Sequence, residues 1–262
     1  MSGTAAPSID VRVKDHDGGA VATVTVDNQA RLNVIDSALM RALVGEIEAL
    51  GARDDLRAVV LRGAGDKAFI GGANIFEMAT LDRARAEEFI TLVHRSCDCL
   101  RALPVPVIAR IDGYALGAGL EIAVSCDIRI ASTRAVLGMP EVKVGIPSVV
   151  EAALLPRLIG WGRTRDLLLC GENIDAATAL RWGLIEAMVE PADLDAAVGA
   201  KVRAILAAGP RAVRLQKKLI AEWEDLPVAA AVEAGIRCFV EAWNTDEPAR
   251  MMAAFVNRRR QP

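Results

Sequence analysis

Two glutamates and a turn of small residues form the part of this 262-residue chain that is best suited to chemistry. The turn, Gly117-Ala118-Gly119, lies between an apolar, β-branched run and a second apolar run that favours a helix. Backbone N–H groups are therefore expected to be free at a helix N-terminus, where they stabilise negative charge. Glu121 lies just inside that helix, and Glu141 lies on a later loop. Free N–H groups beside two carboxyl groups predict an oxyanion site with acid–base chemistry.

A second turn, Gly71-Gly72-Ala73, stands in the segment KAFIGGANIFEM, which spans Lys67–Met78. This turn can offer one N–H group and Gly117-Ala118 a second, at the mouth of adjacent parallel units. Two N–H groups directed at one carbonyl oxygen form an oxyanion hole, in which each donor contributes roughly 3–4 kcal/mol. The small side chains let the carbonyl of a substrate approach the backbone closely.

The elements that must position these turns form an α/β core followed by helices. Alternating residues predict a hairpin around Asp17-Gly18-Gly19, and Asp36 is suited to be the N-cap of a helix that ends near Gly51. Residues 63–72 are expected to form a glycine-rich connection, and residues from 147 onward are mostly helical. Further helices are predicted over 82–103 and 120–125, and strands over 57–61, 107–111, 127–131, 135–137 and 185–189.

The composition narrows the class of protein. Hydrophobic residues make up 53% and charged residues 25%, which is typical of a globular protein, and the net charge of −3 gives no reason to expect nucleic acid as a partner. No apolar run reaches the roughly 18 residues of a membrane span, and the N-terminus lacks the pattern of a secretory signal. The five cysteines have no CxxC spacing and only two histidines accompany them, so no metal site is expected. These features predict a cytoplasmic protein with no membrane partner.

Both turn segments and a third segment resemble the crotonase superfamily, the enoyl-CoA hydratase/isomerase family. Members carry KAF-x-x-GAD where this chain has KAFIGGAN, and GYALGGGLELALACDLRIA where it has GYALGAGLEIAVSCDIRIA. They also carry PE followed by G-I-P where it has PEVKVGIP. AATALRWGLIEAMV and DEPARMMAAFVNRR, nearer the C-terminus, are similar to family segments as well. The resemblance covers nearly the whole chain.

The resemblance implies an α/β fold, a crotonase-like spiral of ββα units with a C-terminal helical trimerisation region. Residues 1–195 are expected to form the spiral core with the active site. Residues 196–262 are expected to form the helical region for oligomerisation. The assembly implied is a homotrimer or a dimer of trimers.

The family's functional residues fall on four positions of this chain. The resemblance places the N–H groups of the oxyanion hole on Ala73 and Ala118, and the acid–base carboxyls of the hydratases on Glu121 and Glu141. The presence of both glutamates favours reversible addition of water to a 2-enoyl-CoA thioester. The alternatives are Δ3,Δ2-enoyl-CoA isomerisation, which needs only one glutamate, and a non-catalytic acyl-CoA- or RNA-binding role. Coenzyme A is part of the substrate, so no separate cofactor is expected, and no metal is required because the N–H pair replaces a Lewis acid.

Further positions are expected to bind the acyl-CoA substrate. By family position, Arg31 or Leu32 contacts the adenine end of coenzyme A. Lys67 either contacts its phosphates or is an ordinary surface lysine. The remaining candidates lie on the two turns and on the short helical run after the first: Gly72, Asn74, Ile75, Phe76 and Gly117.

Three single residues depart from the family pattern near the site. Asn74 replaces the aspartate of GAD, which removes a charge but keeps a capping side chain. Phe76 stands where many members have a lysine, so one contact with coenzyme A is expected to be lost. Ala118 replaces the middle glycine of GGG, which adds a methyl group and keeps the N–H.

The largest departure is the segment SVVEAA, residues 148–153, where hydratases usually have a glycine-rich GAGGT-like segment. It places bulky aliphatic residues and an additional acid, Glu151, near the expected acyl chain. Glu151 is interpreted either as a third polar group that binds a substituted acyl chain or as a capping acid at the start of a helix over 149–155.

Overall fold

Two β-sheets form the centre of the computed structural model, which describes residues 6–258. The larger sheet contains, in spatial order, β1 (Ser8–His16), β2 (Gly19–Asp27), β3 (Leu56–Gly63), β5 (Val107–Ile111), β7 (Ile128–Ser132) and β10 (Ala187–Val189). The smaller sheet contains β4 (Ala68–Ile70), β6 (Tyr114–Leu116), β8 (Val136–Gly138) and β9 (Ile174–Asp175). The predicted hairpin is confirmed, because β1 and β2 pair antiparallel from Ser8 opposite Asp27 to His16 opposite Gly19.

The helices begin and end close to the predicted signals. Asp36 accepts a hydrogen bond from the N–H of Leu39 and so caps the first helix, as its position predicts. The helices of the described residues are α1 (Ser37–Gly51), α2 (Ile75–Met78), α3 (Arg83–Ala102), α4 (Ala118–Val124), α5 (Leu155–Cys170), α6 (Ala176–Trp182), α7 (Leu194–Ala207), α8 (Pro210–Asp225), α9 (Val228–Ala242) and α10 (Glu247–Arg258).

Successive pairs of strands divide between the two sheets in a regular way. The first strand of each pair (β3, β5 and β7) enters the larger sheet, and the second (β4, β6 and β8) enters the smaller one. A helical segment follows each pair before the next pair begins. This repeat confirms the predicted α/β spiral of ββα units.

Apolar side chains cover both faces of the larger sheet. Along β3, Val59 and Leu61 belong to the main core, whereas Ala58 and Val60 belong to a second cluster. Alternate residues of a strand point to opposite faces, so the two clusters lie on opposite sides of the sheet. The main core includes buried residues of α1 and α3, and α7 contributes Leu194, Val198 and Val202 to the second cluster.

The predicted boundary between residues 195 and 196 falls in the first turn of α7. Residues 1–5 and 259–262, which belong to the two predicted units, lie outside the described residues. The division into a core and an oligomerisation region stays a prediction. No helix within residues 6–258 is both long enough and apolar enough to cross a membrane. The cytoplasmic location likewise stays a prediction.

The smaller sheet is the part of the fold that the sequence did not predict in full. β4 lies inside the segment 63–72, which was expected to be a connection, and β6 lies in the segment that joins β5 to the Gly117 turn. Each of these strands has three residues, which is too short for an apolar–polar period to be recognised. Their importance is positional, because the candidate site begins where they end.

Candidate active site

Three parallel strands of the smaller sheet end at the same edge. β4 pairs with β6 and β6 pairs with β8, both in parallel, with Leu116 opposite Gly138. Ala73 follows the end of β4, Ala118 follows β6, and Glu141 follows β8. The short sheet therefore brings together three of the four predicted catalytic positions, and α4 adds the fourth, Glu121.

The N–H groups of Ala73 and Ala118 are available to a ligand. Ile35 bridges to the segment around Ala73 by donating to the carbonyl of Gly72 at 2.9 Å and accepting from the N–H of Asn74 at 2.8 Å. These bonds use the groups on either side of Ala73 and not its own N–H. Ala118 is the first residue of α4, where an N–H has no partner within the helix. Among the described residues, neither N–H has a hydrogen-bond acceptor.

Gly117 is required by the backbone and by its neighbour. Its φ of +51° is combined with a ψ of −124°, a conformation that residues with a side chain rarely adopt. A Cβ atom at this position would also collide with Oε1 of Glu141. The carboxyl group of Glu141 therefore lies directly against the turn whose next N–H belongs to Ala118.

Glu141 is half-buried and has a defined partner. It opens the 3₁₀ turn Glu141–Val144 that follows β8. Its Oε2 accepts a hydrogen bond from the hydroxyl of Ser148 at 2.7 Å. This bond fixes the orientation of the carboxylate toward the end of the small sheet.

Glu121 is buried beside Glu141 in an environment that favours its protonated form. Its Oε1 accepts a hydrogen bond from the N–H of Ala152 at 3.2 Å. Burial, together with the nearby charges of Glu141 and Glu151, raises the pKa of Glu121 to about 8. At neutral pH this carboxyl therefore retains its proton. The site presents a protonated carboxyl, a second carboxyl and two free N–H groups, which can stabilise an oxyanion and transfer protons.

Two of the predicted coenzyme A contacts line a surface cleft. Leu32 and Lys67 border a cleft of about 110 Å³ that lies between the 3₁₀ turn Gln29–Arg31 and the start of β4. Asn33, which the sequence analysis missed, holds this cleft together, because its buried amide donates to the carbonyls of Ala64 at 2.9 Å and Ala68 at 2.8 Å. The φ of Asn33 is +54°, which asparagine tolerates better than most residues do. The residue type was therefore the signal in the sequence that could have pointed to this position.

The other predicted contacts lie on the surface, on the turn Gln29–Arg31 and on or next to α2. Asn74 caps α2 by accepting from the N–H of Phe76 at 3.0 Å, so the capping function expected for it is present. Phe76 is 77% exposed, Ile75 is also exposed, and Arg31 lies on the exposed turn Gln29–Arg31. Their roles in binding stay predictions.

Glu151 does not cap the helix that follows it. Its side chain is buried, and its Oε1 lies 2.7 Å from Nδ1 of His94 on α3. In the described part of the chain, no side chain caps the 3₁₀ turn that contains Glu151. The capping interpretation of Glu151 is therefore wrong. Sequence reasoning also missed His94, Ser148 and Ala152 as partners of the acidic residues, because these contacts depend on tertiary structure.

Within residues 6–258, no group of three or more histidine, cysteine, aspartate or glutamate side chains is arranged to hold a metal ion. The five cysteines are free thiols.

Comparison with known proteins identifies close sequence similarity over most of the chain. The sequence profile of a family described as Enoyl-CoA hydratase/isomerase matches residues 16–262. The chain is 37% identical over 246 residues to the short-chain-enoyl-CoA hydratase of Clostridium acetobutylicum, which covers 92% of this chain and 93% of that protein. It is 32% identical over 241 residues to the crotonyl-CoA hydratase of Syntrophomonas wolfei, with coverage of 92% and 93%.

Solved structures have the same fold. The crystal structure of an enoyl-CoA hydratase from Bacillus anthracis superposes with a TM-score of 0.90 at 29% identity, and covers 96% of each chain. The structure of DspI from Pseudomonas aeruginosa superposes with a TM-score of 0.89 at 31% identity, and covers 98% of each chain.

Replacing Glu121 by glutamine is expected to stabilise the protein, and more so as the pH rises from 5 to 8. The folded carboxyl keeps its proton up to a pH of about 8, whereas the unfolded carboxyl, with the ordinary glutamate pKa of 4.5, loses it earlier. The wild type therefore loses about 1.4 kcal/mol of its free energy of unfolding per pH unit in this window, and the glutamine variant does not. Thermal unfolding midpoints measured across this pH range test the prediction.

The exposed Glu46 on α1 provides the control, because Glu46→Gln removes a surface carboxyl. Its midpoint should follow that of the wild type at every pH. A constant difference between Glu121→Gln and the wild type from pH 5 to pH 8 would show that the pKa of Glu121 is not raised in the folded protein.

Proposed function

The chain belongs to the enoyl-CoA hydratase/isomerase family, and we propose that it is an enoyl-CoA hydratase that adds water reversibly to a 2-enoyl-CoA thioester. The observation that carries this proposal is the pair of carboxyls, Glu121 and Glu141, beside two N–H groups at the end of the small sheet. Isomerisation needs one carboxyl to move a proton, whereas addition of water needs one group to accept a proton and another to supply one. The retained pair therefore favours hydration.

The N–H groups of Ala73 and Ala118 bind the thioester oxygen in this proposal. A 2-enoyl thioester is electrophilic at C3, and attack by water moves electron density onto the thioester oxygen as an enolate. Two N–H groups stabilise this oxyanion more than the neutral carbonyl, so they lower the barrier. Removing one such donor in other enzymes costs about 100- to 1000-fold in rate.

The two glutamates exchange protons with water and with C2. The oxygen of water bonds to C3, and its proton passes to the carboxylate of Glu141. The protonated carboxyl of Glu121 gives its proton to C2 as the enolate collapses. The product is a 3-hydroxyacyl-CoA, and a proton must return from Glu141 to Glu121 before the next turnover. The raised pKa of Glu121 supports this division of roles in the free protein.

Coenzyme A is proposed to lie along the cleft that contains Leu32 and Lys67. The adjacent exposed residues Arg31, Ile75 and Phe76 lie on the turn before this cleft and on α2. Lys67 is exposed and can pair with a phosphate group. We propose no cofactor other than the coenzyme A that forms part of the substrate.

Crotonyl-CoA is the substrate with which to test the activity. The wild type should convert crotonyl-CoA to 3-hydroxybutyryl-CoA, which is followed as a loss of the enoyl-thioester absorbance. Glu141→Gln should lower kcat by about 100- to 10,000-fold, because an amide cannot accept the proton from water. Glu46→Gln should leave the rate unchanged. An active wild type whose Glu141→Gln variant is equally active, or a wild type that only moves the double bond of a 3-enoyl-CoA, would contradict the proposal.

A second copy of this chain is proposed to cover the exposed apolar face of α9, as part of a homotrimer or a dimer of trimers. Val228, Val232, Ile236, Phe239 and Trp243 are all exposed and repeat at helical spacing along one side. Contiguous apolar surface of this kind marks an interaction site. The continuation of apolar exposure onto α10 at Met252 supports a broad interface.

Light scattering after size-exclusion chromatography tests the assembly. The wild type should have three or six times the mass of one chain, and Phe239→Glu should lower that mass by placing a charge in the interface. Arg237→Gln, on the opposite side of α9, should leave it unchanged. A wild type with the mass of a single chain would overturn the proposed trimer.

A further inference from the structure

One short segment contacts both catalytic glutamates. At its start, the hydroxyl of Ser148 donates to Oε2 of Glu141 at 2.7 Å. At its end, the N–H of Ala152 donates to Oε1 of Glu121 at 3.2 Å. A displacement of residues 148–152 would therefore move the hydrogen-bond partners of both carboxyls together.

The middle of this segment has a strained backbone. Val150 has a φ of +38°, a conformation that β-branched residues rarely adopt. Such strain persists only where the surroundings hold the backbone in place. Some contact must therefore anchor the segment next to Val150.

Glu151 supplies that contact. Its side chain is only 8% exposed, and a hydrogen bond of 2.7 Å joins its Oε1 to Nδ1 of His94 on α3. Its second oxygen, Oε2, is buried, and its neighbour is the weakly donating thiol of Cys97 rather than a strong hydrogen-bond donor. A buried carboxylate with one weak partner is costly, so stability alone gives no reason for an acid at this position.

We infer that Glu151 is a positioning residue: its bond to His94 holds the strained segment so that Ser148 and Ala152 keep Glu141 and Glu121 in place for proton transfer. This inference rests on the proposed hydratase function. It assigns a role to an acid in a segment where the sequence departs most from the family pattern, and it does not require Glu151 to touch the substrate.

The charge of Glu151 adds an electrostatic effect to the mechanical one. Burial is the largest cause of the raised pKa of Glu121, Glu141 is the next cause that raises it, and Glu151 contributes further in the same direction. His94 and Cys97 face this cluster from α3. Burial raises the pKa of the Cys97 thiol well above its usual range, so this thiol adds no charge near neutral pH. His94, whose side chain is 49% exposed, is the basic group that faces Glu151.

Two substitutions separate the anchor from the charge. Glu151→Ala removes both, and it should lower kcat for crotonyl-CoA by about 10- to 100-fold with KM changed less than about threefold, because misplaced catalytic groups slow the chemical step. Glu151→Gln keeps a side chain that reaches His94, and it should recover most of kcat. In both variants the loss of kcat/KM at high pH should begin at lower pH than in the wild type.

Glu224→Gln is the matched control. Glu224 on α8 is partly buried and pairs at 2.6 Å with Arg101 on α3, the helix that also carries His94. Neither Glu224 nor Arg101 contacts Glu121 or Glu141. This variant should keep the kcat and pH profile of the wild type. If Glu151→Ala also keeps kcat within twofold and keeps the pH profile, the positioning role is wrong. A purely structural role would lower the thermal midpoint of Glu151→Ala without moving the pH profile.

A double-mutant cycle tests the electrostatic effect of Glu151 on Glu121 without any turnover. The stabilisation produced by Glu121→Gln at pH 8, measured as a rise in thermal midpoint, should be smaller in the Glu151→Gln background, because removal of the second charge lowers the pKa of Glu121. Equal stabilisation in both backgrounds would overturn the coupling. If the wild type hydrates no enoyl thioester and the cycle still shows coupling, the proposed function has failed and the link between Glu151 and Glu121 stands.

Discussion

The close approach of the Glu141 carboxyl to the backbone at Gly117 is the constraint to which the rest of the site is fitted. β6 and β8 end side by side, so the turn after one and the acid after the other compete for the same space. A residue without Cβ leaves room for the carboxyl and permits the φ of +51° that directs the next N–H, that of Ala118, outward. The parallel pairing of β4 with β6 then places the N–H of Ala73 at the same edge. Acid, base and oxyanion donors thus share one backbone junction.

This arrangement is unfavourable for stability at several points. Glu121 is buried, Val150 adopts a strained conformation, and one oxygen of the buried Glu151 has at most a weak thiol partner, Cys97, within the described residues. The larger sheet, with apolar clusters on both faces, supplies the burial that compensates. The burial of Glu121 also serves the chemistry, because a carboxyl with a raised pKa keeps a proton that it can supply near neutral pH. The burial of acidic groups close together is therefore both a cost to stability and a source of the chemistry.

The sequence predicted the parts of the molecule that depend on local signals. Asp36 predicted the start of α1, the motif around Gly117 predicted Glu121 just inside a helix, and the segment PEVKVGIP predicted Glu141 on a later loop. The three-residue strands of the smaller sheet were missed in part because they are shorter than a recognisable period. The partner of Glu151 could not be found, because His94 lies 57 residues earlier in the chain and is brought close only by the packing of α3. The acid was visible in the sequence, but the group that pairs with it was not.

The comparison of Gly117→Ala with Gly183→Ala tests the central claim most directly. Both positions have positive φ, +51° and +80°, so both variants should lose stability; Gly117→Ala should lose more, because its ψ of −124° lies outside the left-handed helical region that Gly183 occupies with a ψ of 19°. Only at position 117 would the new methyl group collide with Glu141, since a Cβ at position 183 meets its nearest atom at 3.6 Å. On crotonyl-CoA, Gly117→Ala should lower kcat by about 100-fold or more, and Gly183→Ala should keep it within a few-fold. Equal rates for the two variants would contradict the account, because the Glu141 carboxyl would then not depend on the space at Gly117.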